Sequence, residues 1–510
     1  MGKYMEIGFN TFDGHVRGKT MDCDGVIRKC GGVDFVVCHF DPNGDDMQTQ
    51  CANAKATAAR LKELDVPFVA NFEGQNFNNS IVSADGHDFA NHADGTHRLE
   101  LPEEYIKAID EGGDLISIMY DEFEHCIINR NVSISLATRF KLDPPVFPTV
   151  YTDSMRVQGE TLSKQVGEYV EELKRRGAPA VAGEHVFPVL YHTFARNGMI
   201  PNFKSQKESF TNVQFAIAAG AALEYETPLW TCVDLWFMQT FPGHSSEEMY
   251  YNLLFAYLMG VDRAYVEASN AFVSNLHGEE MINDYGDNFA KFVSEFRGRD
   301  RGYNVQDYKP EVGIIRYDDT FWGQGTTPLI WRNMLFGNPK IKPKKENKEW
   351  IKAFRLITHN ETTRGGIAWD RIEPQSLRKH RSFASMNGAV VFDDRVTADK
   401  LTSLKLCFLC GEYISSETLQ AVKQMVHENG LTVVTPRRFA PEGIRSTVHA
   451  SYREIPDGKG HWIVCEDLES PKLKKRIAPF LGSKGEMKFT FGDETVRLVI
   501  LPDGETFMRV

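Results

Sequence analysis

The chain predicts an α/β protein. A (β/α)8 barrel is expected over residues 1–309, a second, smaller parallel α/β domain over 310–482, and short β-strands over 483–510. Three observations carry this. Apolar, strand-like runs alternate with helical stretches through the first part of the chain, a pattern that builds parallel sheets. Four of those runs end in acids: Leu115–Tyr120 into Asp121 and Glu122, Ala180–Gly183 into Glu184, Leu229–Val233 into Asp234, and Arg263–Val266 into Glu267. In a barrel all strand C-termini reach one face, so acids distant in sequence gather there. Finally, Lys309-Pro310 breaks the pattern, and a new strand–helix alternation starts after it.

Taken in order, Glu6–Phe12 is the first strand, and Val33–Phe40 the second, ending at Asp41. Cys51, Ala54, Ala58, Leu61 and Leu64 fall at helical spacing, so a helix is expected from about Asp46 to Leu64. Pro67–Glu73 is the third strand. Pro102-Glu103-Glu104 opens a helix, with proline at its start and acids in its first turn. The strand Asp114–Tyr120 follows, then a long helix near Glu160–Arg176. The Ala180, Leu229 and Arg263 strands come next, separated by helices around Lys207–Leu223 and Glu247–Met259. This makes seven clear strands. The eighth is expected either near Phe147–Thr152 or at Val312–Arg316. A flat, doubly wound sheet is the alternative, but no glycine-rich phosphate loop follows the first strand. Beyond Pro310, strands at Glu311–Tyr317, Leu404–Leu409 and Leu431–Val434 flank a helix from Ser415 to Val426. Met487–Phe491, Val496–Leu501 and Thr506–Val510 read as short strands joined by Gly-Asp and Asp-Gly turns.

Composition excludes several classes. The net charge of −12 is wrong for a nucleic-acid partner, which recruits basic faces, and gives no support to binding an anionic membrane surface. No apolar run approaches the length of a bilayer span. The nine cysteines have no framework spacing and read as reduced core residues. With no signal-peptide core at the N-terminus, they favour the cytoplasm. Cys407 and Cys410 form a CxxC without a partner pair, so neither zinc nor redox chemistry is expected of them. No Gly-x-Ser-x-Gly elbow or Walker loop is present.

Acids converging on a barrel face, among aromatic groups, are the machinery of glycoside hydrolysis. That chemistry needs one carboxyl kept protonated and a second kept ionised. Three acids and a histidine crowd Tyr120–His125, and like charges so close raise a carboxyl pKa, so Glu122 is the expected acid/base. Glu267, two residues after Tyr265 and three before Asn270, is the expected nucleophile, and Glu184 is its rival. Sugar hydroxyls and rings are expected to meet Asn10, Asp41, Asn71, Asp121, His185, Tyr191, Trp230, Asp234, Trp236 and Asn270. His39 and Asp41 have no third or fourth ligand at metal spacing, so no metal and no cofactor is expected. Two other readings stay open: a non-catalytic carbohydrate-binding or assembly protein on the same scaffold, and a metal-dependent hydrolase using His39 and Asp41.

The segment Leu409–Leu419, running on through Val422, Val426, Asn429-Gly430 and Val433-Val434, resembles the second domain of family-42 β-galactosidases. The join Lys309–Ile315 is similar to that family's passage from barrel to second domain, and Glu248–Glu267 looks like one of its last helix–strand units. The resemblance implies a flavodoxin-like (amidotransferase-like) domain after a catalytic barrel. It also implies an O-glycosidase acting on an oligo- or polysaccharide, retaining by mechanism, and a closed homo-oligomer, with a trimer ahead of a dimer. Two departures are plain. The Asn-Glu pair expected at the acid/base is absent, since Glu122 follows Asp121, and short terminal strands replace a full β-sandwich domain.

Overall fold

The structure is a computed structural model. It describes residues 3–510 except 13–15, 17–22, 30, 41–45, 73–100, 129–151, 208–209, 236–243, 268, 277–278, 319, 324–334, 339, 363–380 and 447–450. Eight parallel strands close into a barrel in chain order: β1 (Glu6–Phe12), β2 (Phe35–His39), β3 (Phe68–Asn71), β4 (Leu115–Tyr120), β5 (Val181–His185), β6 (Ile200–Ser205), β7 (Trp230–Val233) and β8 (Arg263–Val266). Closure is made by β1 against β8, with Glu6 beside Arg263 and Phe9 beside Val266.

Strand pleating divides the barrel residues between two cores. Outward side chains such as Ile7, Phe9, Val36, Ile118, Val181, Phe203 and Val266 join one continuous core with the surrounding helices. The inward set is Phe35, Val37, Val69, Met119, Ala182, Trp230, Cys232 and Tyr265, a separate cluster that plugs the barrel. The helices start where the sequence supplies a cap. Asp46 accepts from the Thr49 amide (2.7 Å), Ser154 from Val157 (3.3 Å) and Ser245 from Glu248 (3.0 Å). Each side-chain oxygen satisfies an amide the first turn leaves unpaired.

The eighth strand corrects an expectation. It is β6, Ile200–Ser205, whereas Val312–Arg316 opens the second sheet and 147–151 lie outside the described residues. Its sequence, Ile-Pro-Asn-Phe-Lys-Ser, contains a proline and two polar inward residues, which is why it does not read as a strand. Barrel context overrides that composition: Glu184 and His185 of β5 sit opposite Asn202 and Phe203, and β7 pairs along its other edge.

After β8 a hairpin (Val273–Leu276 with Glu279–Ile282) precedes the helix Asp284–Phe296. The second domain is built on a six-stranded sheet, ordered Ala389–Phe392, Val312–Arg316, Leu406–Cys410, Thr432–Thr435, Gly460–Cys465 and Tyr452–Asp457. All its pairings are parallel except the last. The terminal strands Glu486–Phe491, Glu494–Ile500 and Phe507–Arg509 form a four-stranded sheet with Met386–Asn387. The helix Thr211–Tyr225 is buried on nearly every side because it lies between the barrel and the second domain. Gly220 makes that possible, since a Cβ there would stand 1.6 Å from the Val391 carbonyl oxygen. Among the described residues, no helix is long and apolar enough to cross a membrane.

Candidate active site

Each barrel strand delivers one buried polar side chain to the C-terminal mouth. In chain order they are Asn10, His39, Asn71, Asp121, Glu184, Lys204, Asp234 and Glu267, none more than 5 % exposed. Six of them follow by two residues a member of the barrel plug: Val37, Val69, Met119, Ala182, Cys232 and Tyr265. Residues two apart share a strand face, so the inward stripe runs from apolar plug to polar mouth. Beneath Lys204, Asn202 donates to the Tyr265 hydroxyl at 2.9 Å, which places β6 in the same register.

The mouth has two arcs. On β1–β3, the amide nitrogens of Asn10 and Asn71 lie 2.8 and 3.3 Å from His39 Nε2. An amide nitrogen can only donate, so Nε2 is the acceptor in both contacts. Asn71 also reaches Asp121 at 3.5 Å, where the charged arc begins.

The charged arc is centred on Lys204. Its ammonium lies 3.0 Å from Glu184, 3.0 Å from Glu267, 3.3 Å from Glu122, 3.4 Å from Asp234 and 3.9 Å from Asp121. Burial alone would push Lys204 down, but Asp234, Glu184, Glu267 and Glu122 outweigh it and hold the ammonium well above the ordinary lysine range. It is therefore a fixed cation, not a free amine nucleophile. Burial raises the Glu267 carboxyl well above the usual range. Lys204 opposes that rise, while Asp234 and Glu184 reinforce it. Glu184 sits differently: one oxygen faces Lys204, and the other accepts from the Tyr265 hydroxyl. One carboxylate oxygen each from Glu184 and Glu267, with Cys232 Sγ, lie within 4.8 Å of one another. That spacing would suit a cation, and the Lys204 ammonium already sits 3.0 Å from both acids.

Glu122 holds a left-handed backbone (φ 48°), and its side chain is 17 % exposed, so it stands at the rim above the more buried acids. Seven other described non-glycine residues also hold a positive φ, so the conformation carries only a modest backbone cost. Its neighbour Glu124 is structural: fully buried, it accepts from the Val186 and Phe187 amides at 2.8 and 2.9 Å, and fixes the turn after β5.

Three expected sugar contacts lie elsewhere. His185 is one residue past Glu184 and so faces out of the barrel. Its ring stacks on Tyr191 at 3.9 Å, its Nδ1 reaches the Val189 carbonyl at 3.1 Å, and burial lowers its pKa to about 3. Tyr191 donates to Gln214 Oε1 at 3.0 Å in the same helix-facing layer. Trp230 opens β7, four residues and about 13 Å of strand below Asp234, with the Arg263 guanidinium 4.8 Å over its ring. These three are core residues. Asp41 and Trp236, and the side chain of Asn270, lie outside the described residues. Lys204, Asn202 and Tyr265 complete the site. Lys204 and Asn202 were hidden in the unrecognised strand, and only the Tyr265–Glu267 spacing hinted at the tyrosine.

No family model and no curated protein sequence matches the chain. Solved structures do. The chain is similar to a β-galactosidase from the psychrophilic Marinomonas ef1, with a TM-score of 0.54 and 9 % identity over 97 % of this chain and 95 % of that one. It is also similar to an exo-β-1,4-mannosidase from Opitutaceae bacterium strain TAV5, with a TM-score of 0.51 and 10 % identity over 94 % and 96 %. At such identity the likeness is one of fold: the whole chain shares the architecture of these two glycoside hydrolases.

Proposed function

We propose that the protein is a retaining glycoside hydrolase whose working pair is Glu184 and Glu267. The observation that carries this is their spacing and contrast. Their nearest oxygens lie within 4.8 Å, and retaining enzymes hold two carboxyls about 5–5.5 Å apart. Inverting enzymes need room for a water, about 6.5–9.5 Å. Glu267, raised by burial, carries the proton a leaving group requires. Glu184 lies 3.0 Å from the Lys204 ammonium and accepts from the Tyr265 hydroxyl, contacts that orient it as the nucleophile. Glu184 would attack the anomeric carbon while Glu267 protonates the departing oxygen. Glu267 would then take a proton from the water that cleaves the glycosyl ester on Glu184.

This reverses the roles expected from sequence. Glu267 becomes acid/base rather than nucleophile, and Glu122 serves at the rim. Asn10, Asn71 and His39 supply an arc of polar side chains suited to sugar hydroxyls. The shared architecture with a β-galactosidase and an exo-β-1,4-mannosidase supports the glycosidase reading. A non-catalytic carbohydrate-binding scaffold would predict acids too far apart for chemistry, and the approach of Glu184 and Glu267 to within 4.8 Å disfavours it.

The test uses a panel of aryl and alkyl β-galactosides and β-mannosides. Glu267→Gln should lose activity by about 10²–10⁴-fold on alkyl leaving groups, and far less on activated aryl ones, which need little protonation. A 2-deoxy-2-fluoro glycoside should label Glu184, read by peptide mass spectrometry. Equal loss across leaving groups, or a label on another residue, would overturn the assignment.

A further inference from the structure

We propose that Lys204 is a tethered counter-ion, seated where this ring of carboxylates would otherwise bind a free cation, and that it positions the reacting pair. The positioning half rests on the glycosidase reading above; the counter-ion half does not.

Five carboxylates, from β4, β5, β7 and β8, surround one buried nitrogen within 3.9 Å. An ammonium has three donors, so the acids must share it. With the lysine absent, the same acids would face one another across a water-poor space, where like charges repel strongly. The seat itself is well made. Glu184, Cys232 and Glu267 offer atoms within 4.8 Å of one another, and the ammonium lies 3.0 Å from both acids. The strand that carries it is pinned on both sides. Asn202 donates to Tyr265 at 2.9 Å, and Ser205 Oγ meets Thr231 Oγ1 at 2.8 Å. Nζ therefore has little freedom to leave. A charge so fixed holds the Glu184 and Glu267 carboxylates at one separation, and both would lose their common anchor without it. Lys204 touches the two acids rather than the reacting bond, so it is a positioning residue.

The experiment replaces Lys204 with methionine, which keeps length and apolar stem but removes the charge. Metal-free Lys204→Met protein is titrated with Mn²⁺, following free Mn²⁺ by electron paramagnetic resonance and the thermal midpoint by calorimetry. One Mn²⁺ per chain should bind and raise the midpoint. The parent protein and Lys204→Arg should bind none at that affinity. A folded Lys204→Met protein that ignores Mn²⁺ overturns the counter-ion. If Lys204→Met alone does not fold, the triple variant Lys204→Met, Glu184→Gln, Glu267→Gln should fold again, because the Glu184 charge and the buried, ionisable Glu267 carboxyl are both gone. Equal instability of single and triple variants also overturns it. Against an aryl glycoside the parent cleaves, Lys204→Met should lose kcat on the order of 10²-fold with little change in KM. Methylammonium should restore part of that loss. Unchanged kcat and pH profile in a folded Lys204→Met protein defeats the positioning role. Mn²⁺ capture by Lys204→Met, together with a parent inactive on every glycoside, would retire the glycosidase reading and leave the counter-ion standing.

Discussion

Two buried clusters in this molecule use the same ingredients in opposite ratios. At the barrel mouth, one ammonium is shared among five carboxylates. At the junction with the second domain, one guanidinium is spent almost wholly on one. Arg196 holds Asp393 at 2.7 Å, and its other nitrogens reach Ser163 Oγ and Thr193 Oγ1 at 3.0 and 2.8 Å. Asp393 also accepts from the Tyr225 hydroxyl (2.6 Å) and the Arg395 amide (2.7 Å). Burial works against its charge, but the hydrogen bond from Glu224 and the Arg196 and His192 charges bring Asp393 down to about 2. Glu224 is pushed the other way by burial and by Asp393, so it holds the pair's proton. Saturated contacts make the junction a lock. The mouth has more acids than its cation can satisfy, and burial together with the neighbouring Asp234 and Glu184 raises the Glu267 carboxyl well above the usual range.

The comparison breaks first, and most severely, at Glu184. Glu184→Gln should reduce kcat by on the order of 10⁴-fold. The thermal midpoint should stay level or rise, because a repelling charge leaves an overcrowded site. Calorimetry beside steady-state kinetics checks both. A variant that loses stability in step with activity would mean that the mouth, too, is a lock.

At the junction the prediction inverts. Arg196→Met leaves Asp393 buried without its main partner, and should cost about 3–5 kcal/mol of stability. Below the unfolding transition kcat should be unchanged, since the Arg196 guanidinium binds Ser163, Thr193 and Asp393, none of them at the mouth. Denaturant unfolding gives the first quantity and initial rates the second. A matching fall in kcat would couple the junction to the active site.

Much of this was readable before any coordinates, and the rest failed for definite reasons. Apolar runs ending in Asp121, Glu184, Asp234 and Glu267 announced the mouth, because an outward apolar face makes a barrel strand conspicuous. Ile200–Ser205 escaped because Pro201, Asn202 and Lys204 erase that signature. Inward residues near a polar mouth need not be apolar, so the strands that matter most to a site can look least like strands. His185 and Tyr191 misled for the converse reason. A polar, aromatic loop sequence does not say which face it presents, and period-two alternation sent His185 behind the barrel once Glu184 pointed in. The helix expected from about Asp46 was legible because its apolar spacing is a local signal, whereas the one expected near Glu160 starts at Met155, behind a Ser154 cap that went unread in the sequence. The ammonium's central place was not legible, because it depends on five strands meeting.

The finest test concerns Asp394, beside the lock. Its side chain is buried, and burial, reinforced by Asp393, raises it to about 7 from the ordinary 3.8. Between those values the folded protein keeps a proton that the unfolded chain has released. Stability contributed by this group is therefore present at low pH, falls as pH rises through the window, and levels off above about 7. The slope is at most about 1.4 kcal/mol per pH unit. Asp394→Asn cannot ionise, so it should match the parent near pH 4 and exceed it increasingly toward neutrality. Glu224 and Glu267 are raised too, so both proteins keep whatever slope those acids impose, and the difference between their unfolding curves isolates Asp394. Parallel curves across the window would mean that Asp394 is already ionised in the folded protein. The junction would then hold charge as freely as the mouth, and the distinction between lock and proton reserve would rest on the Arg196 contacts alone.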